Sequence, residues 1–282
     1  MTDKCVLITG CSSGIGLHLA KTLHAIGYEV FATARKQADV DKLKSLGLRS
    51  LPLDVANPES IQTAVNTVLN DSSGKLYALI NNAGFGQAGA VEDLQRDVLR
   101  EQFETNVFGL IELTNALLPT MHKQGYGKII QISSVLGFVA MPFRGAYIAS
   151  KFALEGISDT LRLELKDTNI HISLIEPGPI TSQFRQNSLD LFNKNIDSKS
   201  SRFHKRYQST IARLETEGPA VPFTLGPEAV TNKVLAALKS TNPKPRYFVT
   251  FPTYLFAYLK RILPTRALDY LLSRSSKVEG KR

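Results

Sequence analysis

Within its first 34 residues the chain passes from an apolar run through a glycine-rich loop into helical periodicity, then to a second apolar run. Cys5-Val-Leu-Ile8 carries no charge and meets a turn signal, the pattern of a strand buried on both faces. The loop Thr9-Gly-Cys-Ser-Ser-Gly-Ile-Gly16 follows, and Leu17, Leu19, Ala20 and Leu23 then recur at helical spacing up to Gly27. Strand, glycine loop and helix in that order set backbone N–H groups at a helix N-terminus, where phosphate binds. Gly10, Ser12, Ser13, Gly14, Ile15 and Gly16 are the candidate contacts. Their spacing, Gly-x-x-x-Gly-x-Gly, departs from the commoner Gly-x-Gly-x-x-Gly fingerprint.

The alternation continues down the chain. A second strand, residues 28–34, ends at Arg35-Lys36. An NAD site has an acid about 20 residues past the loop, on the ribose 2′-hydroxyl. Here Arg35 stands nineteen residues after Gly16. An acid would repel a 2′-phosphate and an arginine pairs with it, so the site leans to NADP(H), with Lys36 and Ser12 as helpers. The competing view makes Arg35 and Lys36 a solvated helix entry. Residues 50–55 read as a third strand. At its end Asp54, beside Val55, either accepts a hydrogen bond from an adenine amine or caps a helix starting near Pro58. Residues 76–80 form a fourth strand running into Asn81-Asn82-Ala83-Gly84, whose small residues let backbone lie against a ribose.

Residues 91–122 read as a long amphipathic segment that contains Asn106, a poor helix former. That asparagine is either an exposed neutral choice or a buried group that breaks the ladder to hold a water. Strands at 128–132, 170–175 and 246–250 complete the series, with helical signals at 227–240. The exit Glu176-Pro177-Gly178-Pro179-Ile180-Thr181 suits a flat ring. Residues 182–222 are polar, basic and weakly periodic, as in a lid, a binding loop or a mobile region. Strands alternating with helices imply an α/β fold, one parallel sheet covered on both faces, with ligands beyond the C-terminal strand ends.

After the strand at 128–132 comes Ser134, and then Tyr147-Ile-Ala-Ser-Lys151 opens a helical pattern. Residues i and i+4 share a helix face, so Tyr147 and Lys151 point into one space near Ser134. An ammonium beside a phenol favours the phenolate and draws its pKa from about 10 toward neutrality. Such a tyrosine can exchange a proton with a carbonyl or alcohol oxygen, and the serine hydroxyl can steady that oxygen. Taken alone, a Tyr and a Lys four apart are more often a core residue and a solvated one. The surrounding motifs change that balance.

Thr9-Gly-x-x-x-Gly-Ile-Gly16, Asn81-Asn-Ala-Gly84, Asn106, Ser134, Tyr147-x-x-x-Lys151 and Pro177-Gly178 together resemble the short-chain dehydrogenase/reductase family, over about residues 4 to 250. The resemblance implies a single Rossmann-type domain whose seven parallel strands run in the order 3-2-1-4-5-6-7. It implies a catalytic tetrad of Asn106, Ser134, Tyr147 and Lys151, with Asn106 keeping a water linked to Lys151. Asp54 then contacts adenine and Thr181 the carboxamide or a phosphate, while Asn82, Ala83, Gly84, Pro177, Gly178 and Ile180 line the dinucleotide. Residues 4–181 would form the cofactor-binding and catalytic core, 182–222 a substrate lid and 251–282 a C-terminal helical extension. Phe31-Ala-Thr-Ala-Arg35 and Ile175-Glu-Pro-Gly-Pro-Ile180 look like the branch of 17β-hydroxysteroid and retinol dehydrogenases. Phe223-Thr-Leu-Gly-Pro-Glu-Ala229 and the tail look like a bacterial NADP-dependent aldehyde reductase. A homodimer through residues 91–122 and 147–167 follows from the resemblance alone. Carrier-linked acyl ketones, or a silent nucleotide-binding protein, are the competing readings, and the intact tetrad counts against the second.

Composition sets outer limits. A hydrophobic content of 43% with 21% charged residues suits a globular chain. Cys5 and Cys11 supply no disulfide framework, so a reducing, cytoplasmic setting is expected. No signal peptide or apolar span of about 20 residues is visible, and the five histidines lack ligand spacing, so no metal is expected. Residues 239–282 hold ten Lys or Arg against two acids, nearly all of the net +9. A basic, apolar tail suits an anionic membrane surface better than nucleic acid. The same apolar face could instead pack on its own domain or on a second subunit.

Overall fold

The computed structural model describes residues 4–279. Its strands are β1 (Cys5–Ile8), β2 (Glu29–Ala34), β3 (Arg49–Pro52), β4 (Ala78–Asn81), β5 (Gly127–Ile132), β6 (Ile170–Glu176) and β7 (Arg246–Phe248). The helices are α1 (Gly14–Ala25), α2 (Gln37–Ser45), α3 (Pro58–Asp71), α4 (Arg96–Phe103), α5 (Gly109–Gln124), α6 (Gly145–Glu164), α7 (Phe184–Asn195), α8 (His204–Glu215), α9 (Pro227–Lys239), α10 (Phe251–Ile262) and α11 (Thr265–Glu279). All strand pairs are parallel, in the order β3-β2-β1-β4-β5-β6-β7, the expected Rossmann-type sheet.

Successive strand residues face opposite sides of a sheet, and β1 shows the consequence. Val6 and Ile8 pack with Leu19 and Leu23 of α1 and Val230 and Val234 of α9. Cys5 and Leu7 pack instead with Ile61 and Val65 of α3 and Leu113 and Leu117 of α5. Each such fully buried aliphatic side chain contributes roughly 1.5–3 kcal/mol, so a short uncharged strand is stabilised from both faces. The chain runs from β1 out to β3, then crosses back to lay β4 on the other flank of β1. A crevice opens where the two directions part, beyond the carboxyl ends of β1 and β4.

Two expectations need correction. Residues 91–122 are not one helix: a 3-10 turn at Val91–Asp93 precedes α4, and a π-helical turn at Glu104–Phe108 separates α4 from α5. The buried Asn106 lies within that π turn, where its side chain serves groups outside the helix. Residues 182–222 are likewise more ordered than their polar composition suggested. They form α7 and α8, held by aromatic contacts of Tyr207 with Phe192, Phe143 and Phe203. Tyr207 is fully buried, donates its hydroxyl proton to Asp93 and accepts from Ala90 N at 2.8 Å. The cap of α3 is Asn57, which accepts from Ser60 N at 3.1 Å, and not Asp54, whose Oδ1 accepts from Ala56 N.

The start of α5 lies hard against the loop after β3: a Cβ on Gly109 would sit 1.6 Å from the Val55 carbonyl oxygen. Only backbone without a side chain allows that approach. At the far side, α10 and α11 bring Phe256, Leu259, Leu268 and Leu272 onto Val135, Leu136 and Val139, just past β5.

Where β5, β6 and β7 meet α6, a charged cluster runs from two buried carboxyl groups to the solvent margin. Glu155 accepts from Ser133 Oγ at 2.5 Å and from Arg246 Nη2 at 3.0 Å, and Arg246 Nη2 also donates to Asp159 at 2.7 Å. Glu176 is fully buried. Arg246 Nε lies 3.1 Å from its Oε1, but that N–H is directed at Glu155, so neither Glu176 oxygen accepts a hydrogen bond. Burial, and then the negative charge of Glu155, push the Glu176 carboxyl up to about 8.

Two outcomes follow. Gly109→Ala should lose about 1–3 kcal/mol of stability by forcing α5 off the β3 exit, read from urea unfolding; an unchanged midpoint would contradict the contact. Between its ordinary value of 4.5 and about 8, the folded Glu176 binds a proton that the unfolded chain releases. Stability therefore falls as pH rises through that window. Glu176→Gln should flatten the fall, and an equal slope in both proteins would show that the carboxyl titrates normally.

Candidate active site

Each strand exit in the crevice delivers part of the site. After β1, the Thr9 hydroxyl accepts from Asn82 N at 3.0 Å and Ala83 N at 2.9 Å. Asn82 Nδ2 returns donors to Thr9 O and Gly10 O. The glycine loop is thereby tied to the β4 exit. A Cβ on Gly16 would lie 2.2 Å from Gly10 O, so the first turn of α1 folds back onto the loop only as glycine. Ser13 precedes α1 without a side-chain cap, leaving first-turn amides available to an anion.

A cleft of about 1800 Å³ runs from this loop across the sheet edge. Single ligand pockets usually hold about 300–1,000 Å³, so there is room for a dinucleotide and a second molecule. Gly10, Ser12, Ser13, Gly14, Ile15, Gly16, Arg35, Lys36, Asp54, Val55, Asn82, Ala83 and Gly84 all line it. So do Ser134, Tyr147, Lys151, Pro177, Gly178, Ile180 and Thr181. Arg35 is exposed at the β2 exit and makes no ion pair among the described residues. Thr181 is held by its N–H to Leu225 O at 2.9 Å, and Pro177 O accepts from Val135 N at 2.8 Å.

Asn106 alone of the expected site residues does not line the cleft. It is buried behind it, with Oδ1 accepting from Phe85 N at 3.1 Å and Nδ2 donating to Phe85 O and Ser150 Oγ at 3.0 Å. Ser150 in turn donates to Tyr147 O at 2.7 Å. The side chain is buried, not exposed, and its amide joins the π turn to the β4 exit and to α6.

In the first turns of α6, Tyr147 and Lys151 share a face as the spacing predicts, with Lys151 Nζ 5.7 Å from the Tyr147 ring centre. Lys151 is buried, and its ammonium donates to Ile132 O at 2.8 Å. Ser134, at the β5 exit, accepts from Leu136 N at 3.1 Å. The proton affinities differ from the sequence expectation. Burial pushes the Tyr147 phenol up to about 12, with the Ser134 hydroxyl pulling weakly the other way. Burial also lowers Lys151 to about 8, against the opposing charge of Glu155. Desolvation, which the spacing of residues does not reveal, outweighs the charge of the neighbour in the protein by itself.

Several residues escaped the sequence. Phe184 of α7 sets its ring edge-on to Tyr147 at 5.3 Å and fills the space over Gly86. Thr9, Ser133 and Glu155 fasten the site from behind. Of these only Thr9 carried a local signal, as the last residue before the loop. The thiol of Cys11 in the loop is fully buried, donates to Ile8 O and is pushed up to about 12 by burial. It is a packing residue.

Residues 4–190 match the family model described as short chain dehydrogenase. An uncharacterized oxidoreductase of Escherichia coli K12, YbbO, is 44% identical over 270 residues, covering 96% of this chain and 94% of that protein. Human 17-beta-hydroxysteroid dehydrogenase type 1 is 35% identical, covering 89% of this chain and 78% of its own. Among solved structures, an actinorhodin polyketide ketoreductase with NADPH superposes with a TM-score of 0.70 at 25% identity, over 88% of this chain and 95% of that one. The chain belongs to the short-chain dehydrogenase family of oxidoreductases.

Proposed function

We propose that the protein is an NADP(H)-dependent oxidoreductase that moves hydride between the nicotinamide and a carbonyl or alcohol carbon, chiefly reducing aldehydes or other apolar carbonyls. The observation that carries this reading is the meeting of Ser134, Tyr147 and Lys151 at one place in a cleft whose other end is the glycine loop. The dinucleotide, when bound, supplies or accepts the hydride. The side chains of the protein do the remainder. Ser134 donates to the substrate oxygen as charge develops on it, and Tyr147 gives that oxygen a proton. A phenol held at about 12 is protonated near neutrality, the form a reduction needs. Lys151 holds the ribose and steadies the phenolate left behind.

Arg35, with Lys36 and Ser12, pairs a 2′-phosphate, and an unpaired guanidinium supports that assignment. Asp54 contacts adenine, Asn82 to Gly84 the ribose, and Pro177, Gly178, Ile180 and Thr181 the nicotinamide side. Residues 182–222 act as a substrate lid, with Phe184 as its inner wall. The likeness to a 17-beta-hydroxysteroid dehydrogenase supports steroid or retinoid ketones as a second substrate class, with acyl-carrier-linked ketones behind them. Exposed Phe108, Phe152 and Leu163, around α5 and α6, support a homodimer through those helices. The setting is cytoplasmic, with the basic extension in peripheral contact with an anionic membrane. No described helix is long and apolar enough to cross one.

Two variants test this. Tyr147→Phe should lower kcat for NADPH-driven aldehyde reduction by about 10²–10⁴-fold, with NADPH binding retained, as followed at 340 nm and by nucleotide fluorescence. Full turnover in that variant would end the proposed mechanism. Arg35→Asp should raise the KM for NADPH by about 10–100-fold, the loss of a charge-assisted hydrogen bond, while the KM for NADH falls or holds. Equal effects on both nucleotides would remove the 2′-phosphate contact.

A further inference from the structure

Helix α10 is apolar on two opposite sides. Phe256, with Leu259, faces inward onto the segment after Ser134. The other side carries Phe251, Tyr254, Leu255, Tyr258 and Ile262, exposed by 56, 48, 40, 65 and 55%. Their spacing of three or four residues sets them in one outward stripe. Neighbouring elements extend it. Phe223, 58% exposed, packs against Phe251 with ring centres 4.9 Å apart, and α11 adds Tyr270 and Leu271. Solvent-facing apolar surface of this continuity marks an interaction site.

The charge around the stripe selects the occupant. Residues 251–274 hold Lys260, Arg261, Arg266 and Arg274 against the single acid Asp269, and Lys233 of α9 lies 3.3 Å from the Tyr254 hydroxyl. A second copy docked by a twofold axis would set this basic rim against itself. An anionic bilayer complements both the rim and the stripe, and tyrosines suit the level where headgroups meet acyl chains. The stripe also reaches the active cleft: Phe251, Leu255, Tyr270 and Leu271 line the same cavity as Ser134 and Tyr147. Between them Leu136 and Met141 continue an apolar wall toward the phenol.

We infer that α10, α11 and Phe223 form a bilayer-docked portal through which the substrate, a carbonyl compound with a long apolar tail resident in anionic lipid, enters the cleft. This deepens the carbonyl-reductase reading and rests on it. The portal explains why helices at the mouth are apolar outward as well as inward: the tail of the substrate leaves the lipid without crossing water.

The test uses the full chain and a Tyr258→Ser/Ile262→Ser variant, both positions lying on the stripe and outside the cleft. Wild type should co-sediment with phosphatidylglycerol-rich vesicles and weakly with phosphatidylcholine alone. The variant should bind about tenfold less or worse, from the loss of two buried side chains. With NADPH, its kcat/KM for a long-chain aldehyde carried in those vesicles should drop in proportion, while that for a short water-soluble aldehyde stays within a factor of about two. Equal vesicle binding by both proteins, or parallel loss on both aldehydes, overturns the portal. A wild-type dimer that the variant dissolves, without vesicle binding, assigns the stripe to a second copy and overturns it too. Absence of turnover on either aldehyde by wild type sinks the reductase reading instead, whatever the vesicles show.

Discussion

The hydrogen bond from Lys151 Nζ to the carbonyl of Ile132 fixes the centre of this molecule. An ammonium taken out of water needs acceptors, and this one takes the last carbonyl of β5, the point at which the strand releases Ser134. One turn further along α6, Glu155 takes the hydroxyl of Ser133. Positions 147, 151 and 155 thus form one stripe, i, i+4 and i+8, against the end of a single strand. Two of them are polar anchors on either side of the strand exit, and the third is left pointing into the cleft. The relation between Tyr147 and Ser134 is set by those anchors more than by any contact between the two.

The remainder of the crevice is fastened in the same manner. Thr9 and Asn82 hold the β1 and β4 exits to each other, and Asn106 holds the β4 exit to α6 through Ser150. These are buried or half-buried polar groups with their partners satisfied, which rigidify loops that apolar packing cannot reach. The π turn around Asn106 belongs to this scheme. A regular helix there would carry the amide elsewhere and leave the Phe85 backbone without its partners.

The strand order and the site were legible because both rest on short-range patterns. Fully buried parallel strands read as uninterrupted apolar runs, and Tyr147 and Lys151 meet through helix geometry alone. Long-range partners hid the rest. The break at Asn106 depends on Phe85, twenty-one residues earlier in the chain. The helices at 184–215 depend on Tyr207 reaching Asp93 and Ala90, and their polar faces mask the aromatic residues that hold them. The high phenol of Tyr147 is a matter of desolvation, and no spacing rule contains that quantity. Boundaries shifted as well: β3 pairs with β2 only from Arg49 to Pro52, with one further hydrogen bond from Leu53 N to Ala34 O at 3.0 Å.

Burying a lysine beside a tyrosine raises a difficulty that the charged cluster resolves. Desolvation alone draws Lys151 toward neutrality, and an uncharged amine would do little for a phenolate. Glu155 opposes this from one turn away, yet a buried carboxylate is itself unstable without a cation. Arg246 supplies that cation and shares it with Asp159 at the solvent margin. Glu176 would overload the arrangement with a further negative charge, and it instead retains its proton toward about 8. Two cations, Lys151 and Arg246, thus share the cluster with three carboxyl groups, and the negative charge of Glu155 works against the desolvation of Lys151. The carboxyl group of Glu176 is the adjustable member, and it stands directly before Pro177, which lines the cleft.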